Sequence, residues 1–152
     1  MTTSTPTPSP VVGPRDIALA HYAGRALLEN VLARHGVTFQ QSVTLRVVAV
    51  AEGPIERERL VGGVVGSLKI DAAEAGAVVD ELIATDLLAA EGTSRIRITD
   101  GGRELYATTS AATAPITARI YDGIPTEDLA AAGRVLRLIT ERADAELAAV
   151  TR

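Results

Sequence analysis

Few side chains in this chain combine the type and the spacing that catalysis or metal binding needs. His21 and His35 are the two histidines, and without any cysteine they cannot supply the ligand set of a zinc site. The glycine pairs at 62–63 and 101–102 lack the strand-glycine-helix context of a phosphate-binding loop. No nucleophile has an adjacent base, and no pair of acids is set apart by its surroundings. The sequence therefore predicts no enzyme activity, no metal and no cofactor.

A short basic pattern is more informative. Arg95 and Arg97 alternate with Ile96 and Ile98, and successive side chains of a strand point to opposite faces. Both arginines are therefore expected on the solvent side. The whole chain has 15 basic and 19 acidic residues and a net charge of −4, so overall charge does not support nucleic-acid binding. Only a local patch such as this one could provide it.

The elements on either side of this pattern are a helix and a hairpin. Asp71 followed by Glu74 is typical of a capping box that opens a helix, which we expect to run as far as Leu88. Its apolar positions recur at helical spacing: Ala75, Val78, Val79, Leu82, Ile83 and Leu87. A turn-forming cluster at 92–94 then separates two alternating strands, and Thr99 or Asp100 caps the next helix.

The remaining segments predict further helices. Residues 1–14 are read as a disordered tail, followed by a helix from Asp16 to His35. Thr38 and Gln41 form a second capping box for a helix reaching Glu52, and a third helix covers about Glu56 to Leu68. After the hairpin, a helix over 102–124 contains Pro115, where we expect a kink or break. Thr126 is predicted to cap a final helix with a sustained apolar stripe.

Composition sets the outer bounds of the fold. The chain has 152 residues, 47% of them hydrophobic and 3% aromatic, which fits one mostly helical domain with an aliphatic core. No apolar run approaches the roughly 18 residues of a transmembrane helix. The start of the chain lacks the apolar core of a signal peptide. We therefore expect a cytoplasmic protein without a membrane partner.

The order of these elements resembles the MarR family of bacterial regulators (multiple antibiotic resistance regulator type). The family's Leu-Thr-x-x-Gly-Arg-x-Leu signature after the wing is similar to Ile98-Thr99-Asp100-Gly101-Gly102-Arg103-Glu104-Leu105 here. The preceding segment, residues 79–88, shares the likeness, which extends more weakly over about 16–150. The resemblance implies a mostly α fold with a small β-hairpin wing, in which a winged helix-turn-helix lobe joins a helical dimerisation region from the N- and C-terminal helices.

The same resemblance divides residues 15–152, a single MarR-like domain, into functional parts. It places the DNA-binding lobe at about 38–104 and the dimerisation helices at about 16–35 and 105–150. A homodimer would bind a pseudo-palindromic operator in duplex DNA, with half-sites roughly 34–36 Å apart. The helix after Asp71 would enter the major groove and the hairpin would reach the minor groove or backbone. The implied DNA-binding residues are Arg57, Arg59, Lys69, Ala73, Ala77, Arg95 and Arg97.

The charge of the predicted lobe leaves two functions open. Residues 55–103 contain six basic and nine acidic residues, a net charge of −3, and the groove-facing positions of the recognition helix include no cation. In the first function, wing arginines and dimer avidity suffice for a DNA-binding regulator, with repression the expected outcome. In the second, a MarR-like dimer with weak or lost DNA affinity serves as a ligand-binding or protein-interaction module.

The resemblance also implies a small effector, an aromatic or phenolic anion bound between the dimerisation helices and the lobe. An arginine could pair with its carboxylate while a tyrosine or histidine orients it. The implied ligand-binding residues are His21, Tyr22, Arg25, Phe39, Arg46 and Tyr106. Filling this crevice would change the spacing of the two lobes and release the DNA.

Overall fold

The computed structural model describes residues 10–151. Within that range the elements are α1 (Pro14–Ala33), α2 (Phe39–Ala49), β1 (Ile55–Glu56), α3 (Arg57–Leu68), α4 (Ala72–Ala84), β2 (Leu88–Glu91), β3 (Arg95–Ile98), α5 (Asp100–Tyr121) and α6 (Thr126–Val150). This confirms the predicted fold class, mostly α with a small β-hairpin. No helix in this range is both long enough and apolar enough to cross a membrane.

The chain divides into two compact units between Thr113 and Ala114. The first contains α1 to α4, the sheet and the N-terminal half of α5. The second contains the rest of α5 and α6. Because α5 belongs to both units, it is the covalent link between them.

The sheet has three antiparallel strands in the order β1-β3-β2. Leu88 of β2 pairs with Ile98 of β3, and Ile55 of β1 pairs with Ile96 on the other side of β3. The hairpin was predicted, and its positions are confirmed. The two-residue strand β1 was missed, because two residues are too few to show an alternating pattern.

The core of the first unit is aliphatic, as the composition predicted. α2, α3, α4 and the hairpin enclose it, and its fully buried side chains include Leu60, Val64, Val79, Leu82 and Leu88. Ile96 and Ile98 of β3 are buried while Arg95 and Arg97 between them are exposed. The alternation in β3 therefore fixes which face of the wing meets solvent.

Local hydrogen bonds explain where three helices begin. The Thr38 hydroxyl accepts from the Gln41 backbone N–H at 3.1 Å and the Thr38 N–H donates to Gln41 Oε1 at 3.0 Å, which confirms that capping box. Asp71 Oδ1 accepts from the Glu74 N–H at 2.7 Å. Thr99, one of two predicted caps, starts α5 by accepting from the Gly102 N–H at 3.0 Å.

Several predicted boundaries were wrong. The predicted tail lies mostly outside the described residues. Its last residue, Pro14, is instead the first residue of α1. Proline is accommodated there because the first N–H of a helix has no partner within the helix. α2 ends at Ala49 rather than Glu52, and α4 ends at Ala84 rather than Leu88. Thr126 is the first residue of α6 and not its cap; Pro125 occupies the cap position without a side-chain hydrogen bond.

Of the kink or break predicted at Pro115, the break was wrong, and the kink stays a prediction. α5 is assigned as one helix of 22 residues with Pro115 inside it. A proline within a helix removes one backbone donor, and the flanking turns keep theirs. The hydroxyls of Thr109 and Thr113 donate to carbonyls three and four residues earlier, but neither of them reaches the Ala111 carbonyl, which is the one that loses its donor at Pro115.

Candidate nucleic-acid interface

The exposed face of α4 consists of small side chains with acids beside them. Ala72, Ala73 and Ala77 are exposed, while Ala75, Val78, Val79 and Leu82 face the core. The exposed alanines offer no hydrogen-bond donor to a base edge or a phosphate. Base contacts by this face would therefore be apolar.

Each acid on the exposed part of α4 is held by a side chain from another element. Glu74 Oε1 accepts from Gln40 Nε2 at 3.0 Å, and Glu81 Oε2 accepts from Gln41 Nε2 at 2.9 Å. Both glutamines lie in the first turn of α2, where Gln41 also completes the capping box with Thr38. α4 is therefore fastened to α2 through its carboxylates. The glutamines were not among the predicted site residues, and only the capping box pointed to one of them.

Asp80 is held by Arg57, a predicted DNA contact. Arg57 Nη2 lies 2.9 Å from Asp80 Oδ1 and 3.3 Å from the Gly76 carbonyl oxygen. The backbone N–H of Arg57 donates to the Ser94 carbonyl at 2.8 Å, in the turn between β2 and β3. One residue thus connects the start of α3, the wing turn and the middle of α4. This ion pair neutralises a carboxylate on the face that would meet DNA.

The wing carries two exposed cations, Arg95 and Arg97. Arg95 Nη2 lies 3.7 Å from Glu91 Oε2, its cross-strand neighbour, so its charge is partly offset. In the part of the chain that the structure describes, Arg97 has no salt bridge, and it is exposed. Arg97 is therefore the wing cation best placed to take an external phosphate.

The other predicted DNA-contact residues lie on or after α3. Arg59 is exposed on the first turn of α3. Lys69 follows the helix in the left-handed conformation, with φ 57°, and is also exposed. The predicted DNA-contact cations thus lie on the wing and on or just after α3, outside the alanine face of α4.

A tight joint connects the hairpin to α5. The Thr99 hydroxyl donates to the Asp86 carbonyl at 2.7 Å and lies 3.0 Å from the Leu87 carbonyl oxygen. Gly102 is buried against the same carbonyl: a Cβ at this position would lie 2.1 Å from Leu87 O and 2.8 Å from Ile98 Cγ1. The Thr-x-x-Gly part of the motif therefore fixes α5 against the end of α4. Only glycine fits there without a shift of the backbone.

Four of the six predicted ligand residues lie together on α1 and α2. The His21 and Phe39 rings have centroids 6.5 Å apart, His21 and Tyr22 are 6.0 Å apart, and the Arg25 guanidinium lies 4.3 Å from the Phe39 ring centroid. Arg25 Nε also contacts Glu29 Oε1 at 3.0 Å. This aromatic cluster (His21, Tyr22, Arg25 and Phe39) is largely exposed.

The other two predicted ligand residues lie elsewhere. Arg46 is exposed near the end of α2, and Tyr106 is half-buried against the core of the first unit. No ring contact or hydrogen bond among residues 10–151 joins either of them to the aromatic cluster.

A cavity of about 440 Å³ opens in the first unit at the end of α4. It lies between the α1–α2 loop, the residues after α4 and the first turns of α5, and is lined by His35, Val37, Gln41, Leu87, Glu104 and Leu105, among others. None of the predicted ligand residues lines it. Sequence patterns could not have indicated it, since its walls come from three separate segments.

No group of three or more potential metal ligands comes together within residues 10–151. The arrangement of α2, α3, α4 and the hairpin, with a wing beside an exposed second helix, defines a winged helix-turn-helix. No family model matches the sequence, and no curated protein matches it either.

Solved structures specify the fold further. Staphylococcus aureus MarR in complex with salicylate and kanamycin aligns with a TM-score of 0.74 and 18% identity, covering 87% of this chain and 90% of that one. CouR from Rhodococcus jostii RHA1, bound to p-coumaroyl-CoA, aligns with a TM-score of 0.69 and 18% identity, covering 82% of this chain and 88% of that one. A mutant MarR from E. coli complexed with operator DNA aligns with a TM-score of 0.67 and 14% identity, covering 82% of this chain and 91% of that one. The chain therefore has the fold of MarR-family transcriptional regulators.

Proposed function

We propose that this protein is a MarR-type transcriptional regulator that binds duplex DNA as a homodimer and responds to a small effector. The observation that carries the proposal is the charge arrangement of the lobe. The acids of α4 are engaged by Gln40, Gln41 and Arg57, while Arg97 extends from the wing without an intramolecular partner among the described residues. The alanine face can thus enter a groove while wing cations contact the backbone. A repressor would act where the DNA lies, in the cytoplasm.

The apolar surface of the terminal helices supports the dimer. None of the α6 residues, all of them within the described part of the chain, is buried, and its exposed side chains include Val135, Leu136, Leu138, Ile139 and Leu147. α1 buries only Val31 and Leu32 and exposes Leu19 and Leu27. Exposed aliphatic stripes of this length are covered in a stable protein, and a symmetric homodimer is the commonest solution.

The aromatic cluster supports an effector site for an aromatic or phenolic anion. Arg25 supplies the cation and Phe39 a ring face, and His21 can donate or accept a hydrogen bond. Relatives in fold are known with salicylate and with p-coumaroyl-CoA, which are ligands of this chemical type. Salicylate is therefore a suitable probe. Binding to the dimer that Arg25→Gln removes and Arg34→Gln preserves would support the site, and equal binding by both variants would exclude it.

The DNA claim is tested by titrating the purified protein with its own upstream duplex across a salt series. The Arg95→Ala/Arg97→Ala double variant is compared with Arg34→Ala/Arg119→Ala, which removes the same charge from exposed positions outside residues 38–104. Each phosphate contact contributes about 0.9 to the slope of log K against log salt. We expect the wing variant to lose most of its affinity and to have a slope smaller by roughly 2 to 4, because one or two contacts per protomer disappear and the dimer has two protomers.

The second candidate function is a MarR-like dimer without DNA affinity, acting as a ligand-binding or protein-interaction module. The absence of any donor on the exposed alanines of α4 favours it. The salt series separates the two candidates. Binding to upstream DNA that falls with salt and depends on the wing supports the regulator, whereas no binding at low salt leaves the module.

A further inference from the structure

The cavity at the end of α4 differs in chemistry from the aromatic cluster. Glu104 is the only lining residue that carries a formal charge, counting His35 as neutral, and all lining residues belong to the described part of the chain. Its carboxylate has no salt-bridge partner within residues 10–151. Arginine and lysine are absent from the lining. An anion would therefore meet a carboxylate without a compensating cation.

Two polar side chains of the lining already use their donors within the protein. Gln41 uses Oε1 to accept from Thr38 and Nε2 to donate to Glu81, so its amide is already engaged at both ends. The Thr85 hydroxyl donates to the Glu81 carbonyl at 3.0 Å, which leaves only its lone pairs for a ligand. The His35 ring and the Thr108 hydroxyl are neutral groups that can donate or accept, so Glu104 alone gives the walls a charge preference.

The start of α5 does not reverse this preference, although a helix N-terminus ordinarily favours anions. Thr99 caps one free amide of the first turn, since its hydroxyl accepts from the Gly102 N–H at 3.0 Å, and Asp100 in the same turn supplies a carboxylate that offsets the positive end of the helix. The end of α4, which lies on the opposite wall near Thr85, contributes carbonyl groups and a partial negative charge.

Apolar side chains complete the site. Val37 is buried, and Leu87 and Leu105 are half-buried, so the inner wall is aliphatic while Glu104 lies at an exposed position on α5. From this distribution we propose that the cavity binds a protonated amine with an apolar body, with the ammonium group on Glu104 and the apolar part against the three aliphatic side chains. This second site is separate from the aromatic cluster and has the opposite charge preference.

The position of the cavity also gives the ligand a way to act on the lobe. Leu87 and Gly101 line it, and the Leu87 carbonyl accepts from Thr99 and packs against Gly102. A ligand therefore contacts the joint that fixes α5 to the end of α4. The effect on DNA rests on the function proposed above, whereas binding to the cavity does not.

The test is calorimetric titration of the full chain, without DNA, with two probes of similar size. These are 2-phenylethylamine, which is cationic at neutral pH, and 3-phenylpropionate, which is anionic. We expect saturable binding of the amine and none of the anion. Glu104→Gln should lower the affinity for the amine by about tenfold, because it replaces a charge-assisted hydrogen bond by a neutral one. Glu52→Gln, which removes the same charge from the exposed loop after α2, should change the affinity for the amine less than twofold.

A cavity-filling variant provides an independent check. Thr108 lines the cavity from an exposed position, so Thr108→Trp should block the amine while circular dichroism confirms that the helices remain. Equal affinity for the two probes, no binding of the amine, or unchanged binding in Glu104→Gln would overturn the proposal. If the amine binds but upstream DNA does not, the site stands and the regulator proposal fails; the reverse result rejects the site alone.

Discussion

Arg57 Nη2 lies 2.9 Å from Asp80 Oδ1, joining the first residue of α3 to the middle of α4. The two side chains are 37% and 67% exposed, so water screens the pair and its contribution to folding is small. Its effect on the charge of the groove-facing surface is larger. The pair cancels one carboxylate on α4, and it also withdraws one predicted phosphate contact.

The first prediction concerns this pair. Asp80→Asn removes a negative charge from the groove-facing side of α4 and releases Arg57 for a phosphate, so DNA affinity should rise by about three- to tenfold at low salt, with a steeper salt slope. The free energy of unfolding should change by less than about 1 kcal/mol. Asp128→Asn, an exposed acid on α6, is the matched control. Lower DNA affinity in Asp80→Asn would show that the ion pair positions α4 for binding.

The second prediction concerns the glycine against the Leu87 carbonyl. Gly102→Ala should destabilise the protein by about 3 kcal/mol, because the new methyl group would lie 2.1 Å from a backbone oxygen and would force α5 away from the hairpin. At Gly101 a Cβ would have its nearest contact at 3.7 Å, so Gly101→Ala should be tolerated. Urea denaturation of both variants measures the difference, and equal midpoints would contradict the prediction.

The third prediction concerns the half-buried hydroxyl of Thr99. Thr99→Val keeps the shape but removes the cap of α5 and the bond to the Asp86 carbonyl, and should lower the free energy of unfolding by about 1 to 2 kcal/mol. Thr99→Ser retains the hydroxyl and should recover most of that loss. Should serine prove as unstable as valine, the methyl group would contribute as much as the hydroxyl, and the hydrogen bonds would not be the dominant contribution.

The fourth prediction tests the proposed dimer. Leu136→Glu places a charge in the exposed apolar stripe of α6 and should convert the dimer to a monomer at micromolar concentration, because an unpaired charge at an apolar interface is strongly unfavourable. Light scattering after size-exclusion chromatography measures the mass. Ala148→Glu adds the same charge about a third of a turn away around the helix, on the side that carries Arg137 and Glu141, and serves as the control. A protein that is monomeric before substitution would exclude the homodimer.

The sequence by itself determined the helices, the hairpin and the caps at Thr38 and Asp71, and it narrowed the cap of α5 to Thr99 or Asp100. These features depend on interactions between residues a few positions apart, such as a side-chain oxygen and the amide three residues later, or on alternation within one strand. The same local rules failed at helix ends. They extended α4 past Ala84 and assigned the α6 cap to Thr126, because more than one neighbouring residue satisfied the pattern.

Tertiary structure alone decided how the site is charged. Arg57 and Asp80 are 23 positions apart, and Gln41 and Glu81 are 40 apart, so no periodicity connects either pair. The pairing of β1 with β3 and the cavity around Glu104 likewise arise where separate segments meet. A count of charges gave residues 55–103 a net charge of −3, and alternation in β3 predicted that Arg97 faces solvent, but only the fold shows that the acids of α4 are held by partners. Composition fixes the number of charges; the distances between segments fix which of them remain available to a ligand.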